Sequence, residues 1–313
     1  METYLGIDYG GTKLLIGEAD KEGKLLSSMQ FQTGKTSQRE IVEHLSRCLR
    51  EYKKMGKLHD SVKAAGIGIV GISDHRKGIW HSMNHEKGED IPLASIAEQI
   101  LGIPVVIDND VRSATAAELL WGCGRYSSDF VYINVGTGLA AGIVSDGKIL
   151  RGANQNAGEI GHTLVRSSSE RKCICGKSGC VELSASGAGM KNHLRFLENV
   201  QGKEKAETGN AGEIFALARA GNKLCTEVEK EAEAVLAEVI ENLVRTVDPD
   251  TVVLGGGVMQ DVWFFEQVKA RLHSVTMRGV KNGVQISSLS PSRAGVLGAA
   301  AAGKIYWERM QKK

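Results

Sequence analysis

His162, Cys173, Cys175 and Cys180 stand in the spacing His-x10-Cys-x-Cys-x4-Cys, and no other stretch limits the fold so sharply. One imidazole and three thiols over so short a span are the ligand set of a closed, tetrahedral zinc site. The competing reading is three ordinary thiols beside an unrelated histidine. A reducing compartment seldom crowds cysteines in this way without a metal, which favours the site. Four protein ligands leave no position for a catalytic water, so the expected Zn2+ is structural. It would fix one ring nitrogen of His162 and leave the other to a ligand. Gly176 and Gly179 are expected to turn backbone N–H groups toward the thiolates. Glu159 precedes the histidine and Glu182 follows the last cysteine. A metal-shaped loop with a carboxylate on each edge is suited to holding a polar ligand.

Length and charge narrow the rest. At 313 residues the chain exceeds what one compact core usually covers, so two lobes are expected. A formal net charge of +2 gives no electrostatic reason for a nucleic-acid or membrane partner. No apolar run reaches the length of a spanning helix, and Tyr4–Asp8 is too short for a signal peptide. The reading is a cytoplasmic protein. Cys48, Cys123 and Cys225 are isolated and read as small buried hydrophobes. Thirty-eight glycines against four prolines gather in a few loops, which suggests backbone brought close to a ligand.

The pattern predicts a strand over 4–8, a turn at Gly10-Gly11, a second strand over 12–17 and a third over 25–31. Apolar residues at helical spacing predict a helix over 37–55. A strand over 62–71, a helix over 93–101, a short buried strand over 104–108 and a helix over 111–121 follow. Residues 130–144 then repeat the opening layout: strand, Gly136-Thr137-Gly138 turn, strand. This short repeat suggests two related lobes, each offering a glycine hairpin to a shared cleft. Residues 211–247 read as helix-rich, 250–254 as a strand ending in Gly255-Gly256-Gly257, and 262–272 as helix. The small-residue helix over 294–310 is expected to pack back on the first lobe.

Asp8-Tyr9-Gly10-Gly11-Thr12-Lys13 and Gly136-Thr137-Gly138 both offer clustered backbone N–H groups and a threonine hydroxyl, suited to phosphate oxygens. Neither is a Walker A loop or a dinucleotide fingerprint. Each alone reads as well as a tight hairpin turn; together with Gly255-Gly256-Gly257 after a strand they favour a phosphate clamp. Asp8 could order Mg2+ through its water shell, or simply cap a turn. Asn109-Asp110 at a helix mouth is first of all a capping pair. The functional alternative makes Asp110 a proton acceptor, oriented by Asn109. The remaining histidines (44, 59, 75, 81, 85, 193 and 273) show no partner pattern and read as surface or packing residues.

Taken together, these motifs resemble the ROK (repressor, open reading frame, kinase) family of sugar kinases, within the hexokinase and actin-like ATPase superfamily. The likeness spans essentially the whole chain. Its most specific part is Glu159-Ile160-Gly161-His162 joined to Cys173-x-Cys175-Gly176-x-x-Gly179-Cys180-x-Glu182. The resemblance implies an α/β, two-lobed actin-like ATPase (ribonuclease H-like) fold with an interlobe cleft and a zinc-bound loop. The lobes would comprise 1–113 with 295–313, and 114–294. It implies ATP as phosphoryl donor, Mg2+, structural Zn2+ and a homodimer. Asp8, Gly10, Gly11, Thr12 and Lys13 match the first phosphate loop; Gly136, Thr137 and Gly138 match the second; Gly256 and Gly257 match the adenosine-side loop. Asp110 matches the catalytic base. Asn109, Glu159, His162 and Glu182 match residues that hold the sugar's hydroxyls, and Gly71 and Asn84 lie in loops that line the sugar side in relatives. The implied reaction is phosphorylation of a glucose-like hexose at its 6-hydroxyl, with N-acetylmannosamine as the alternative acceptor. Sugar-sensing repressors of the same family carry a DNA-binding domain ahead of the first phosphate loop, which here begins within ten residues of Met1. Two departures stand out: Leu139-Ala140-Ala141-Gly142 replaces a glycine run, and Val70 stands where a proline is common.

Overall fold

Short apolar strands buried along nearly their whole length, joined by glycine turns and helices, fold the chain into two α/β units. The computed structural model describes residues 2–34, 37–83, 88–169, 171–202 and 208–312. Asn84 and His85 lie outside these described residues. One unit contains Met1–Tyr126, Arg151–Asn156 and Leu289–Lys313; the other contains Ser127–Leu150 and Ala157–Ser288.

In the first unit, β1 (Thr3–Tyr9) turns at Gly10 into β2 (Lys13–Asp20), and β3 (Leu25–Gln32) extends the antiparallel run. Helix α1 (Gln38–Lys54) starts at a capping box in which Ser37 and Glu40 satisfy each other's backbone N–H groups. β4 (Val62–Ile69) pairs parallel to β1, and β7 (Val105–Asn109) pairs parallel to β4. Between them lie a small hairpin of β5 (Ile72–Asp74) and β6 (Ile79–Ser82) and helix α2 (Leu93–Leu101). Helix α3 (Asp110–Trp121) follows directly from β7. The sheet order is β3-β2-β1-β4-β7. Its core gathers Leu5, Ile7, Ile16, Leu45, Leu49, Ile67 and Trp80, among others, all essentially inaccessible.

The C-terminal helix, Pro291–Gln311, packs against β1, β4 and α3 of this unit. Its run of small residues allows backbone-close contact, and the strands answer with glycine. A side chain at Gly6 would collide with the Val296 carbonyl, and one at Gly66 with the Ala299 carbonyl.

The second unit repeats the layout. β8 (Phe130–Val135), β9 (Leu139–Ser145) and β10 (Lys148–Ile149) form an antiparallel run; β11 (Thr251–Gly255) pairs parallel to β8, and β12 (Val284–Ile286) parallel to β11. The order β10-β9-β8-β11-β12 is the same as in the first unit, strand for strand. The short motif repeat read from the sequence is thus one corner of a repeated topology. Helices α4 (Glu182–Ala185), α5 (Gly187–Val200), α6 (Ala211–Arg219), α7 (Lys223–Val247) and α8 (Val262–Arg271) supply its other layer. The core centres on Val131, Ile133, Phe215, Val235, Leu236 and Phe264, with Phe215 and Phe264 stacked 4.4 Å apart. No helix among the described residues is long and apolar enough to cross a membrane.

Candidate active site

In open α/β sheets, ligands bind beyond the carboxyl ends of the parallel strands. In the first unit those ends carry Asp8 (β1), Ile69 leading to Gly71 (β4) and Asn109-Asp110 (β7). The β1–β2 turn closes with the Gly10 N–H donating to the Lys13 carbonyl at 2.9 Å, which leaves Gly11 and Thr12 exposed at its tip. Burial and then the charge of Asp110 push the Asp8 carboxyl up to about 6, against the pull of Lys13. Two carboxylates repelling each other beside a lysine are a donor set that fits a hydrated divalent cation. Gly295, in the second turn of the C-terminal helix, has no room for a side chain because the Asp8 carboxylate lies there.

Asn109 caps α3: its Oδ1 accepts from the Val111 and Arg112 N–H groups at 3.0 and 3.3 Å, and its Nδ2 donates to the Gly71 carbonyl at 3.3 Å. The capping reading therefore holds for Asn109, which also ties the Gly71 loop to the start of α3, and Asp110 Oδ1 likewise accepts from the Val111 N–H at 2.9 Å. Gly71 adopts a left-handed conformation (φ 91°), and the preceding Val70 carbonyl accepts from Trp80 Nε1 at 3.0 Å.

A buried hub beneath this corner escaped the sequence reading. Asp108 Oδ1 accepts from the Asn109 N–H and from Arg112 Nε, both at 2.9 Å, while Oδ2 accepts from Arg151 Nη2 at 2.6 Å. Burial alone would raise the Asp108 carboxyl, but Arg151 and Arg112 outweigh it and hold it below the usual range. His75 Nδ1 stands 3.4 Å from the same carboxylate. Burial, reinforced by Arg151, lowers the His75 pKa to about 4, so its ring is neutral at pH 7. Asp108 ends β7 and Arg112 lies in the first turn of α3, so their pairing follows from the strand-to-helix corner and not from helical spacing. His75 and Arg151 come from distant segments and leave no trace in the sequence. Three further histidines also found partners that the sequence did not suggest: His44 meets Tyr9, His59 meets Glu18 and His81 meets Asp90.

In the second unit the Gly136–Gly138 turn joins β8 to β9, with the Gly136 N–H donating to the Gly138 carbonyl at 3.0 Å. The N-terminal N–H groups of α5 hold it from below: Gly187 donates to the Gly136 carbonyl at 2.8 Å and Ala188 to the Thr137 carbonyl at 3.2 Å. Gly256 (φ 91°) follows β11 where a side chain would strike the Val135 carbonyl, so the two glycine loops lie side by side. Glu182 Oε2 accepts from the Leu139 N–H at 2.9 Å and lies against Gly138 and Gly161. One carboxylate thus touches the Gly136–Gly138 turn and the turn that carries Glu159 and His162.

The ligand atoms of His162, Cys173, Cys175 and Cys180 lie within 4.8 Å of one another. Cys175 Sγ is 3.4 Å from Cys180 Sγ, and Cys173 Sγ is 3.6 Å from His162 Nδ1. A tetrahedral zinc with ordinary bond lengths has S···S edges of about 3.8 Å and N···S edges of about 3.6 Å. Burial, then the Cys175 and Cys173 thiols, push Cys180 up to about 12, a crowding that a cation would relieve. The cluster is compatible with zinc. Gly176 (φ 88°) and Gly179 (φ 79°) serve it differently from expectation. Their N–H groups donate to the Cys173 and Arg171 carbonyls at 3.1 and 2.9 Å, closing a small hairpin. The N–H turned to a thiol is that of Lys177, which lowers Cys175.

With this geometry in hand, the comparisons with known proteins are decisive on family. The sequence pattern of the ROK family matches residues 4–304, and the chain belongs to the ROK family. The glucokinase of Halalkalibacterium halodurans is 28% identical over 327 residues, covering 99% of this chain and 97% of that protein. The N-acetylmannosamine kinase of Citrobacter koseri is 30% identical over 300 residues, covering 95% and 97%. The crystal structure of a ROK family glucokinase from Streptomyces griseus in complex with glucose and AMPPNP superposes with a TM-score of 0.76. That match has 27% identity and covers 97% of this chain and 99% of that one.

Proposed function

We propose that this chain is an ATP-dependent sugar kinase that phosphorylates a glucose-like hexose on its 6-hydroxyl. The observation that carries the reading is the placement of Asp8 and Asp110 at the carboxyl ends of β1 and β7, where burial first and then the Asp110 charge raise the Asp8 carboxyl to about 6. Asp110 would accept the proton of the sugar hydroxyl as its oxygen bonds to the γ-phosphorus of ATP. The bond from that phosphorus to the bridging oxygen breaks, and ADP leaves with the electron pair. Gly10, Gly11, Thr12 and Lys13, with Gly136, Thr137 and Gly138, would donate to the phosphates, and Gly256 and Gly257 would line the adenosine side. Mg2+ held near Asp8 through its waters would neutralise charge on the phosphates.

Asn109, Glu159, His162 and Glu182 would hold the sugar's other hydroxyls, with Gly71 and Asn84 in the loops beside it. Structural Zn2+ on His162 Nδ1, Cys173, Cys175 and Cys180 would orient the His162 ring, so that its second nitrogen addresses the sugar. The identity to N-acetylmannosamine kinases supports a second acceptor, N-acetylmannosamine, for the same site. The test is Asp110→Asn. It should keep sugar affinity within about threefold while kcat falls at least about 100-fold, the lower range for a lost general base. Near-normal kcat would remove Asp110 from the mechanism.

A further inference from the structure

A second anchor holds Glu182 through groups other than the cysteine thiols. Arg171 immediately precedes Lys172, which bridges Ser178 across the cysteine hairpin, and its Nη2 reaches three acceptors on two helices. It donates to the Leu183 carbonyl at 2.8 Å, to Ser184 Oγ at 2.9 Å and to Glu231 Oε1 on α7 at 2.9 Å. Ser184 in turn donates to the same Glu231 oxygen at 2.5 Å. Leu183 and Ser184 are the two residues that follow Glu182 in α4. Arg171 and Glu231 are each 17% exposed, so the pair is shielded from solvent competition. His193 Nδ1 stands 3.3 Å from the other Glu231 oxygen. Burial and the neighbouring Arg171 lower the His193 pKa to about 4, so the ring is neutral at pH 7 and Arg171 supplies the counter-charge.

We infer that Arg171 and Glu231 form a positioning pair that sets Glu182 for the sugar. The inference rests on the reading of Glu182 as a sugar ligand. From its N-terminal side Glu182 is held through Cys180, two residues back; from its C-terminal side it is held by Arg171 and Ser184 on Glu231. Partners that orient a metal's ligands typically cost about 10- to 100-fold in affinity or activity when removed, and a loss at the lower end of that range is expected for a pair that orients a sugar ligand. A purely structural pair would instead lower stability and leave sugar and nucleotide constants alike.

The experiment compares wild type, Arg171→Met, Glu231→Gln, the double variant and Glu182→Ala, with the zinc content of each measured by elemental analysis. Steady-state constants are measured for glucose and ATP. Arg171→Met and Glu231→Gln are expected to raise the glucose KM about tenfold and leave the ATP KM within about twofold. The double variant should be no worse than the worse single one, because both remove one interaction. Unchanged glucose KM in both single variants, while Glu182→Ala raises it, overturns the pair. Loss of zinc from the single variants also overturns it, since Arg171 would then belong to the metal loop's folding. An unchanged KM in Glu182→Ala overturns the sugar-ligand reading itself, whatever the pair does. Should Arg171→Met fail to fold, Glu231→Gln and Arg171→Lys carry the same comparison.

Discussion

Single side chains in this molecule matter mostly through where burial meets charge. Asp108 accepts hydrogen bonds from two guanidinium groups, whereas Glu229 on α7 is 3% exposed and Arg219 acts on it only at longer range. Burial and then Glu233 push the Glu229 carboxyl up to about 7; Asp261 adds to this, while Arg219 and Lys230 oppose it. The folded chain therefore keeps a proton there that the unfolded chain releases near the ordinary carboxylate value. Stability attributable to this group is present below about pH 4.5 and is lost as the pH rises through about 7. Glu229→Gln has a similar shape and cannot ionise. Its unfolding free energy relative to wild type should rise between pH 5 and pH 8, measured by denaturant unfolding at both. A difference that does not vary with pH contradicts the assignment.

At the scale of elements, most of what the sequence predicted follows from local periodicity. The hairpin 4–17, the helix at 37–55 and the long helix ending at Val247 are all present within a few residues of the expected bounds. Their signals are apolar spacing and glycine turns, which depend on neighbours along the chain. The β5–β6 hairpin and α5 were not predicted. The β5–β6 hairpin buries Trp80 against remote segments and is too short for a repeating pattern, whereas α5 carries Met190, Leu194 and Leu197 at helical spacing, a signal that was present in the sequence and missed. The metal ligands were legible because four of them lie close in sequence, whereas the Asp108 hub and the Arg171–Glu231 pair bridge distant positions. Removing the metal tests the element that was read most easily. Chelation should lower Tm and weaken sugar binding at least about tenfold before nucleotide affinity changes. Metal-free protein that binds sugar as tightly as the zinc form, by calorimetric titration, would contradict that role.

The whole molecule repeats one sheet order, and the residues proposed for catalysis come from both copies. Asp8 and Asp110 end strands of the first unit; the Gly136–Gly138 turn, Glu159, His162 and Glu182 belong to the second. The repeat was only hinted at by two glycine-threonine turns, because topology is set by long-range pairing that a single sequence does not display. Family membership narrows the chemistry to sugars without choosing among them, and the departures at Val70 and at Leu139-Ala140-Ala141 fall next to proposed ligand loops. The most direct test of the central claim is ADP release from ATP and Mg2+ with glucose, mannose, N-acetylglucosamine and N-acetylmannosamine supplied singly. The account predicts sugar-dependent ADP release, strongest with glucose, and a 6-phosphorylated product. Sugar binding without ADP release from any of them would contradict it and leave a sugar-sensing protein in its place.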